Sequence, residues 1–222
     1  MDDPALEMRR HHQALQGLTR LNAFSGSVRI LWPPIHALAC EATVPLRVLD
    51  VATGAGDVPL RIWSRARRAG MAFQVEGCDR SPTAVAHAQA RARRAGADLR
   101  FFVLDVLRQE IPRGYDVICC SLFLHHLGED DAARLLRAMA QATRHLVLVH
   151  DLVRSVPGWL WAYLGTRVLT RSDVVQTDGL VSVRAAYTAE EARALARAAG
   201  LSQTSITRHW PSRFLLVWRA TP

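Results

Sequence analysis

The sequence predicts an α/β fold: a seven-stranded, mostly parallel sheet with helices on both faces and an antiparallel hairpin at its C-terminal end. Three observations carry that prediction. Between residues 46 and 150, short runs rich in Val, Leu and Ile alternate with stretches of helical periodicity, as in a parallel sheet covered on both sides. Two last strand-like runs, Gln203–Arg208 and Arg213–Arg219, are separated only by a short connection containing Pro211, which makes them antiparallel neighbours. No repeat, low-complexity tract or linker interrupts the 222 residues, and half of them are hydrophobic, so residues 1–222 read as a single domain with a substantial core.

The elements follow in order. Residues 1–35 read as a helical cover, with Leu6, Leu15, Leu18 and Leu21 at roughly helical spacing and Pro33-Pro34 ending the pattern. The core spans residues 44–219. Leu46–Val51 is the first strand, and Asp57–Ala69 a helix stopped by Gly70. Phe73–Cys78 is the second strand. Pro82–Ala95 is a helix with Ser81 as its cap, Pro82 in its first turn and Gly96 as its stop. Leu99–Leu104, Asp116–Leu124 and Leu146–His150 are the third to fifth strands, with a helix over Asp130–Ala142. Residues 152–187 form a lid-like insertion in which Trp159–Thr170 reads as a helix. Thr188-Ala-Glu-Glu191 is a capping box that opens a helix running to Ala199 and stopping at Gly200.

All 28 basic residues are arginine, and the net charge is +8. Abundant arginine and alanine are what a GC-rich coding sequence produces, which weakens a functional reading of the charge. The clusters Arg65, Arg67, Arg68 and Arg91, Arg93, Arg94 read as solvated helix faces in preference to a nucleic-acid footprint. Cys40, Cys78, Cys119 and Cys120 form no CxxC pair and no zinc spacing, and no metal-ligand cluster is visible. The last three lie in apolar runs, as buried thiols of a reduced, cytoplasmic protein do. The start Met1-Asp2-Asp3-Pro4 lacks the apolar region of a secretory signal. The stretch from Val156 to Leu169, interrupted by Pro157, Gly158 and Arg167, is too short for a membrane span of ~20 apolar residues.

The chemistry concentrates where strands end. Val48-Leu-Asp50-Val-Ala52-Thr53-Gly54-Ala-Gly56-Asp57 runs from a buried strand through a two-glycine loop straight into a helix. Glycines let the backbone turn tightly and approach a ligand, and the helix N-terminus offers unpaired N–H groups. The dinucleotide fingerprint needs a third glycine where Pro59 stands, and a phosphate loop needs a lysine. Gly77-Cys-Asp79-Arg80-Ser81-Pro82 ends the second strand with a carboxylate able to accept both hydroxyls of a ribose. Asp105-Val106 ends the third strand, where a carboxylate can accept an exocyclic amine such as that of adenine. Cys120-Ser121-Leu122-Phe-Leu-His125-His126 ends the fourth and forms the far wall of the same crevice.

These four motifs, in this order, resemble the class I methyltransferases that use S-adenosylmethionine (SAM), and the resemblance covers roughly residues 44–219. It implies a Rossmann-like sheet and SAM as cofactor. It further implies that Ala52, Thr53, Gly54 and Gly56 line the methionine part and that Asp50 orients the loop from behind. Asp79 is placed at the ribose and Asp105 and Val106 at the adenine; Arg80, Ser81, Ser121 and Leu122 are further cofactor contacts, the last two beside the reacting end. A second resemblance joins the N-terminal cover, Asp151-Leu-Val-Arg154-Ser155 and Asp178-Gly179-Leu-Val-Ser182 to methyltransferases that accompany bacterial type III polyketide synthases. The expected activity is methylation of a small acceptor, apolar or aromatic, such as the hydroxyl of a phenolic or polyketide-like product of secondary metabolism.

For a phenol or alcohol a proton must leave, and a histidine is the natural general base. His125 is the candidate, with His126 beside it. The competing reading makes both structural; His150 and Asp151, at the end of the fifth strand beside the same crevice, are the alternative base or substrate contact. The aromatic run Trp159-Leu-Trp161-Ala-Tyr163 belongs either to a roof over an apolar pocket or to ordinary core, with peripheral membrane contact as a further use. Base-amine methyltransferases carry Asp/Asn-Pro-Pro-aromatic where Ser121-Leu-Phe-Leu stands, which disfavours nucleic acid. A reductase reading fails at Pro59 and lacks a Tyr-x-x-x-Lys pair. A non-catalytic SAM-binding protein remains open, since methyl transfer needs few dedicated residues.

Overall fold

The computed structural model describes residues 26–155 and 181–220. Alternation of side chains along each strand divides its core in two. In β5 (Thr143–Leu152) and β7 (Arg213–Arg219), Leu146, Leu148 and Leu215 face one side, while Val147, Val149, Phe214 and Leu216 face the other. The first side is covered by α1 (Ser27–Glu41), α2 (Asp57–Arg68) and α3 (Pro82–Arg94), the second by α4 (Glu129–Ala142) and α5 (Ala189–Ala198).

The remaining strands are β1 (Leu46–Val51), β2 (Phe73–Asp79), β3 (Arg100–Val103), β4 (Tyr115–Ser121) and β6 (Ser205–His209). They assemble in the order β3-β2-β1-β4-β5-β7-β6. The first five run parallel, and β7 inserts antiparallel between β5 and β6. The seven-stranded, mostly parallel sheet with its antiparallel C-terminal hairpin is therefore the architecture expected from the sequence. The order reverses at β1 and β4, so the loops leaving their carboxyl ends diverge and open a crevice there, the usual ligand position in open α/β sheets.

The local signals act as their chemistry predicts. Ser81 caps α3 by accepting from the Ala84 N–H, with Pro82 in the first turn. Thr188 and Glu191 close a reciprocal capping box on α5. Cys78, Cys119 and Cys120 are buried free thiols.

Four readings change. Helix α1 continues through Pro33 and Pro34 to Glu41 instead of ending there. Its Leu31 and Ile35 are wholly buried with Val28, and such side chains contribute about 1.5–3 kcal/mol each, which offsets the lost N–H bonds. Strand β4 stops at Ser121, not Leu124, because Leu122 adopts a left-handed φ of 54° and Leu124–His126 wind into a 3₁₀ turn. Strand β5 is longer than expected, starting at Thr143 and ending at Leu152, because β4 and β7 pair with it on both sides. Arg91 does not lie on a solvated face; it reaches the glycine loop. The first 25 residues of the expected cover, the helix Trp159–Thr170, most of the lid and Asp178 to Leu180 lie outside the described residues.

Candidate functional site

The loop after β1 is held from below by Asp50. This carboxylate is buried and accepts the Thr53 hydroxyl at 2.7 Å and the Cys119 thiol at 3.4 Å. Burial pushes its pKa up to about 7 against the pull of those two bonds. Thr53 N–H donates to the Cys78 carbonyl at 2.9 Å, joining the loop to β2. Ala52, Gly54 and Gly56 all have positive φ, at 54°, 53° and 74°. The two glycines differ in surroundings. A Cβ on Gly56 would stand 2.9 Å from Ala88 Cβ and from the Phe101 ring, so the loop packs directly on α3 and β3. A Cβ on Gly54 would meet nothing within 4 Å.

Asp79, at the end of β2, ties this loop to the next one. Its Oδ2 accepts the Gly54 N–H at 2.8 Å and its Oδ1 accepts the Ser81 N–H at 2.9 Å. Each oxygen keeps acceptor capacity for a further partner. Arg91 locks the far side of the loop, donating to the Ala55 carbonyl at 2.8 Å and pairing with Asp57 at 2.8 Å. Arg80 is exposed and Ser81 is occupied as a cap. Asp105 accepts the Leu107 N–H at 3.1 Å and lies 3.7 Å from Arg108, so it organises its own turn while staying partly exposed; Val106 is buried beneath it.

Across the crevice, His125 sits on the 3₁₀ turn with its side chain only 5 % exposed. Its Nδ1 lies 2.6 Å from Asp151 Oδ1, and its backbone N–H donates to Asp151 Oδ2 at 3.2 Å. The Leu152 N–H adds a third bond to the same carboxylate. Burial alone would raise the Asp151 carboxyl, but the His125 bond and charge and the Leu152 N–H outweigh it and hold it below the ordinary value. His126 is exposed, its ring 4.1 Å from that of His125. Tyr187 fixes the end of the turn by donating to the Leu127 carbonyl at 2.6 Å.

His150 and Ser121 are register partners on β5 and β4. Leu122 bonds its N–H to the His150 carbonyl at 2.9 Å. His150 is wholly buried, and neither ring nitrogen has a hydrogen-bond partner. Burial, reinforced by the Arg213 charge, pushes its pKa down to about 3, so the ring is neutral. Ser121 Oγ and Arg213 Nε are also enclosed without partners.

Residues 48–145 match the family described as a methyltransferase domain. A demethylmenaquinone methyltransferase from Thermus thermophilus is 31% identical over 134 residues, 59% of this chain, and the chain spans only 58% of that relative's length. The fold resembles magnesium protoporphyrin IX methyltransferase from Synechocystis PCC 6803 with bound SAH (S-adenosylhomocysteine), at a TM-score of 0.59 and 16% identity over 92% of this chain and 84% of that one. It also resembles an O-methyltransferase family 2 protein from Planctomyces limnophilus in complex with apigenin, at 0.59 and 19% over 79% and 51%. Residues 48–145 are a class I SAM-dependent methyltransferase domain.

The cofactor of that family, SAM, fits the residues that this domain presents. Asp79 keeps acceptor capacity at the strand end, and Gly54 faces open space. The structure brings Asp50, Thr53, Gly54, Asp79 and Ser81 into one bonded network, whereas Arg80 and His126 turn to solvent. Asp151, expected as an alternative base or acceptor contact, is hydrogen-bonded to His125. Two side chains near the crevice escape the sequence reading. Arg91 follows Ala84 and Ala88 at helical spacing, a stripe that points it at the loop. Arg213 occupies the register of the inward-facing Leu215, a period-two signal readable along β7. Among the described residues no helix is long and apolar enough to cross a membrane.

Proposed function

We propose that this methyltransferase transfers a methyl group from SAM to the hydroxyl of a small acceptor, phenolic or polyketide-like, in a reducing cytoplasm. The observation that carries the reading is the Asp79 carboxylate, held by the Gly54 and Ser81 N–H groups at the mouth of the crevice. In this reading Asp79 accepts the ribose hydroxyls, Asp105 and Val106 border the adenine, and Ala52 to Gly54 line the methionine part, with Gly56 packing the loop onto α3 behind them. Asp50 acts from behind, through Thr53. SAM supplies, when bound, a methyl group already activated on a sulfonium. The chain supplies positioning, exclusion of water and a place for the departing proton. The three buried thiols and a neighbour bound to apigenin support the compartment and the acceptor class.

His125 takes the proton. Asp151 fixes Nδ1, which leaves Nε2 as the basic nitrogen and stabilises the cation that forms. Such a base contributes typically ~10²–10⁴-fold. Removing it by His125→Ala lowers kcat on a phenolic acceptor by that order and abolishes the fall in rate toward low pH. A variant that keeps the wild-type pH profile while only losing stability makes His125 a positioning residue that docks the turn on Asp151.

Isothermal titration of the full chain with SAH, with NAD as control, tests the cofactor. Micromolar binding of SAH and none of NAD is expected. Asp79→Ala removes the charged acceptor and loosens Gly54, for an expected loss of about 100-fold, since hydrogen bonds to charged groups contribute roughly 1.5–3 kcal/mol each. Unchanged affinity in that variant refutes the ribose assignment. Binding without turnover across a broad panel of hydroxylated acceptors favours a SAM-binding protein instead.

A further inference from the structure

A second group of polar side chains stands at the carboxyl edge of the sheet, beyond the cofactor loops. Ser121 shares the parity of Val117 and Cys119 on β4, His150 that of Leu146 and Leu148 on β5, and Arg213 that of Leu215 on β7, so all three project to the face that α1 to α3 cover. Ser121 and His150 are register neighbours. His150 faces Leu215, which places Arg213 one diagonal away on the same face, the spacing of a cross-strand pair. None of the three side chains has a hydrogen bond or ion pair.

Native structures leave few buried polar groups unpaired, yet the buried Nε of Arg213 has no hydrogen-bond partner and only the through-space charge of Asp151 to offset its burial. The nearby carboxylate cannot serve. Asp151 lies on the opposite face and is already taken by the His125 ring and by the N–H groups of His125 and Leu152. The cluster carries one positive charge and a donor from each member: a guanidinium that only donates, a neutral imidazole with one N–H and one acceptor nitrogen, and a hydroxyl that donates and accepts. Its complement is a compact anion with several lone pairs. A carboxylate satisfies it, accepting from the guanidinium in the bidentate manner such groups favour.

We propose that Arg213, His150 and Ser121 bind a carboxylate of the acceptor, so that this methyltransferase acts on small organic acids. The inference rests on the reading of methyl transfer above and adds the class of its acceptor.

The test titrates the full chain, saturated with SAH, with 2-naphthoate and with the neutral isostere 2-naphthamide. The acid is expected to bind at least about tenfold more tightly, the scale of one charge-assisted contact. Arg213→Met erases that preference while leaving SAH affinity within twofold, and Arg213→Lys restores part of it. Equal affinity of the two probes, absence of binding by both, or a preference that survives Arg213→Met overturns the proposal. Failure of SAH itself to bind sinks the methyl-transfer reading instead, so the two failures are told apart. Should Arg213→Met not fold, the wild-type preference and Arg213→Lys decide the matter.

Discussion

The two halves of the crevice are finished differently. Around β1, β2 and α3 every polar side chain that faces the loop has a partner: Asp50 with Thr53 and Cys119, Asp79 with two backbone N–H groups, and Arg91 with Asp57 and Ala55. Across β4, β5 and β7, one pair is saturated, His125 with Asp151, while Ser121, His150 and Arg213 are left without partners. A ligand that never varies is best met by a site rigid before it arrives, because nothing need be reorganised on binding. A ligand that defines specificity is met by groups whose hydrogen bonds only it completes, since an analogue lacking the matching atom leaves them stranded. The difference matches a constant cofactor on one side and a particular acceptor on the other.

The largest expected effect that separates the halves is their opposite response to pH. Asp50 belongs to the first half, and its folded pKa is raised from 3.8 to about 7 by burial. A raised folded pKa contributes stability that is full below 3.8 and is lost as pH rises through 7. His150 belongs to the second, and its folded pKa falls from 6.5 to about 3. Its contribution is full above 6.5 and is lost as pH falls toward 3. Each amounts to about 1.4 kcal/mol per pH unit across its window. Between pH 4 and 6.5 the two slopes oppose each other, so these groups leave the wild-type stability nearly flat there. Asp50→Asn uncovers the histidine, and urea midpoints then drop steadily below pH 6.5. His150→Leu uncovers the aspartate, and midpoints then drop as pH rises from 4 to 7. Parallel curves for wild type and both variants would show that neither half carries a desolvated titratable group.

The same contrast explains how much of the molecule can be read from its sequence. The first half is written locally. Asp50 and Thr53 are three residues apart, Asp79 and Ser81 two, and the glycines mark the turn, so strand, loop and helix declare themselves together. The second half is assembled by the sheet. Ser121, His150 and Arg213 come from three strands, and only the insertion of β7 between β5 and β6 brings the last beside the others. A hairpin predicts that β6 and β7 pair; it does not say which of them lies against β5. His125 and His126 are adjacent in sequence and alike in chemistry, and what separates them is the left-handed Leu122, which ends β4 early and lets one ring fall onto Asp151. Helix α1 misled for the opposite reason, since local proline chemistry yields to the burial of Leu31 and Ile35.

A smaller effect sharpens the comparison within the cofactor half, between Gly54 and Gly56. Both have positive φ, so an alanine at either strains the backbone by about 1–2 kcal/mol. At Gly56 the new methyl also drives into Ala88 and Phe101 at 2.9 Å, and overpacking of that kind costs about 1–3 kcal/mol more. At Gly54 the methyl enters open space, so the thermal midpoint moves less than in Gly56→Ala. If that space is the cofactor's, the order reverses for ligand: Gly54→Ala loses more than tenfold in SAH affinity, while whatever folded Gly56→Ala can be prepared binds nearly as well as wild type. The two glycines then differ in kind, one kept for the packing of loop on helix and the other for the molecule that lies on the loop. Equal losses of stability would mean that the close approach of Gly56 to α3 is relaxed at no cost. Unchanged SAH affinity in Gly54→Ala would mean that the open face of the loop is not where the cofactor rests.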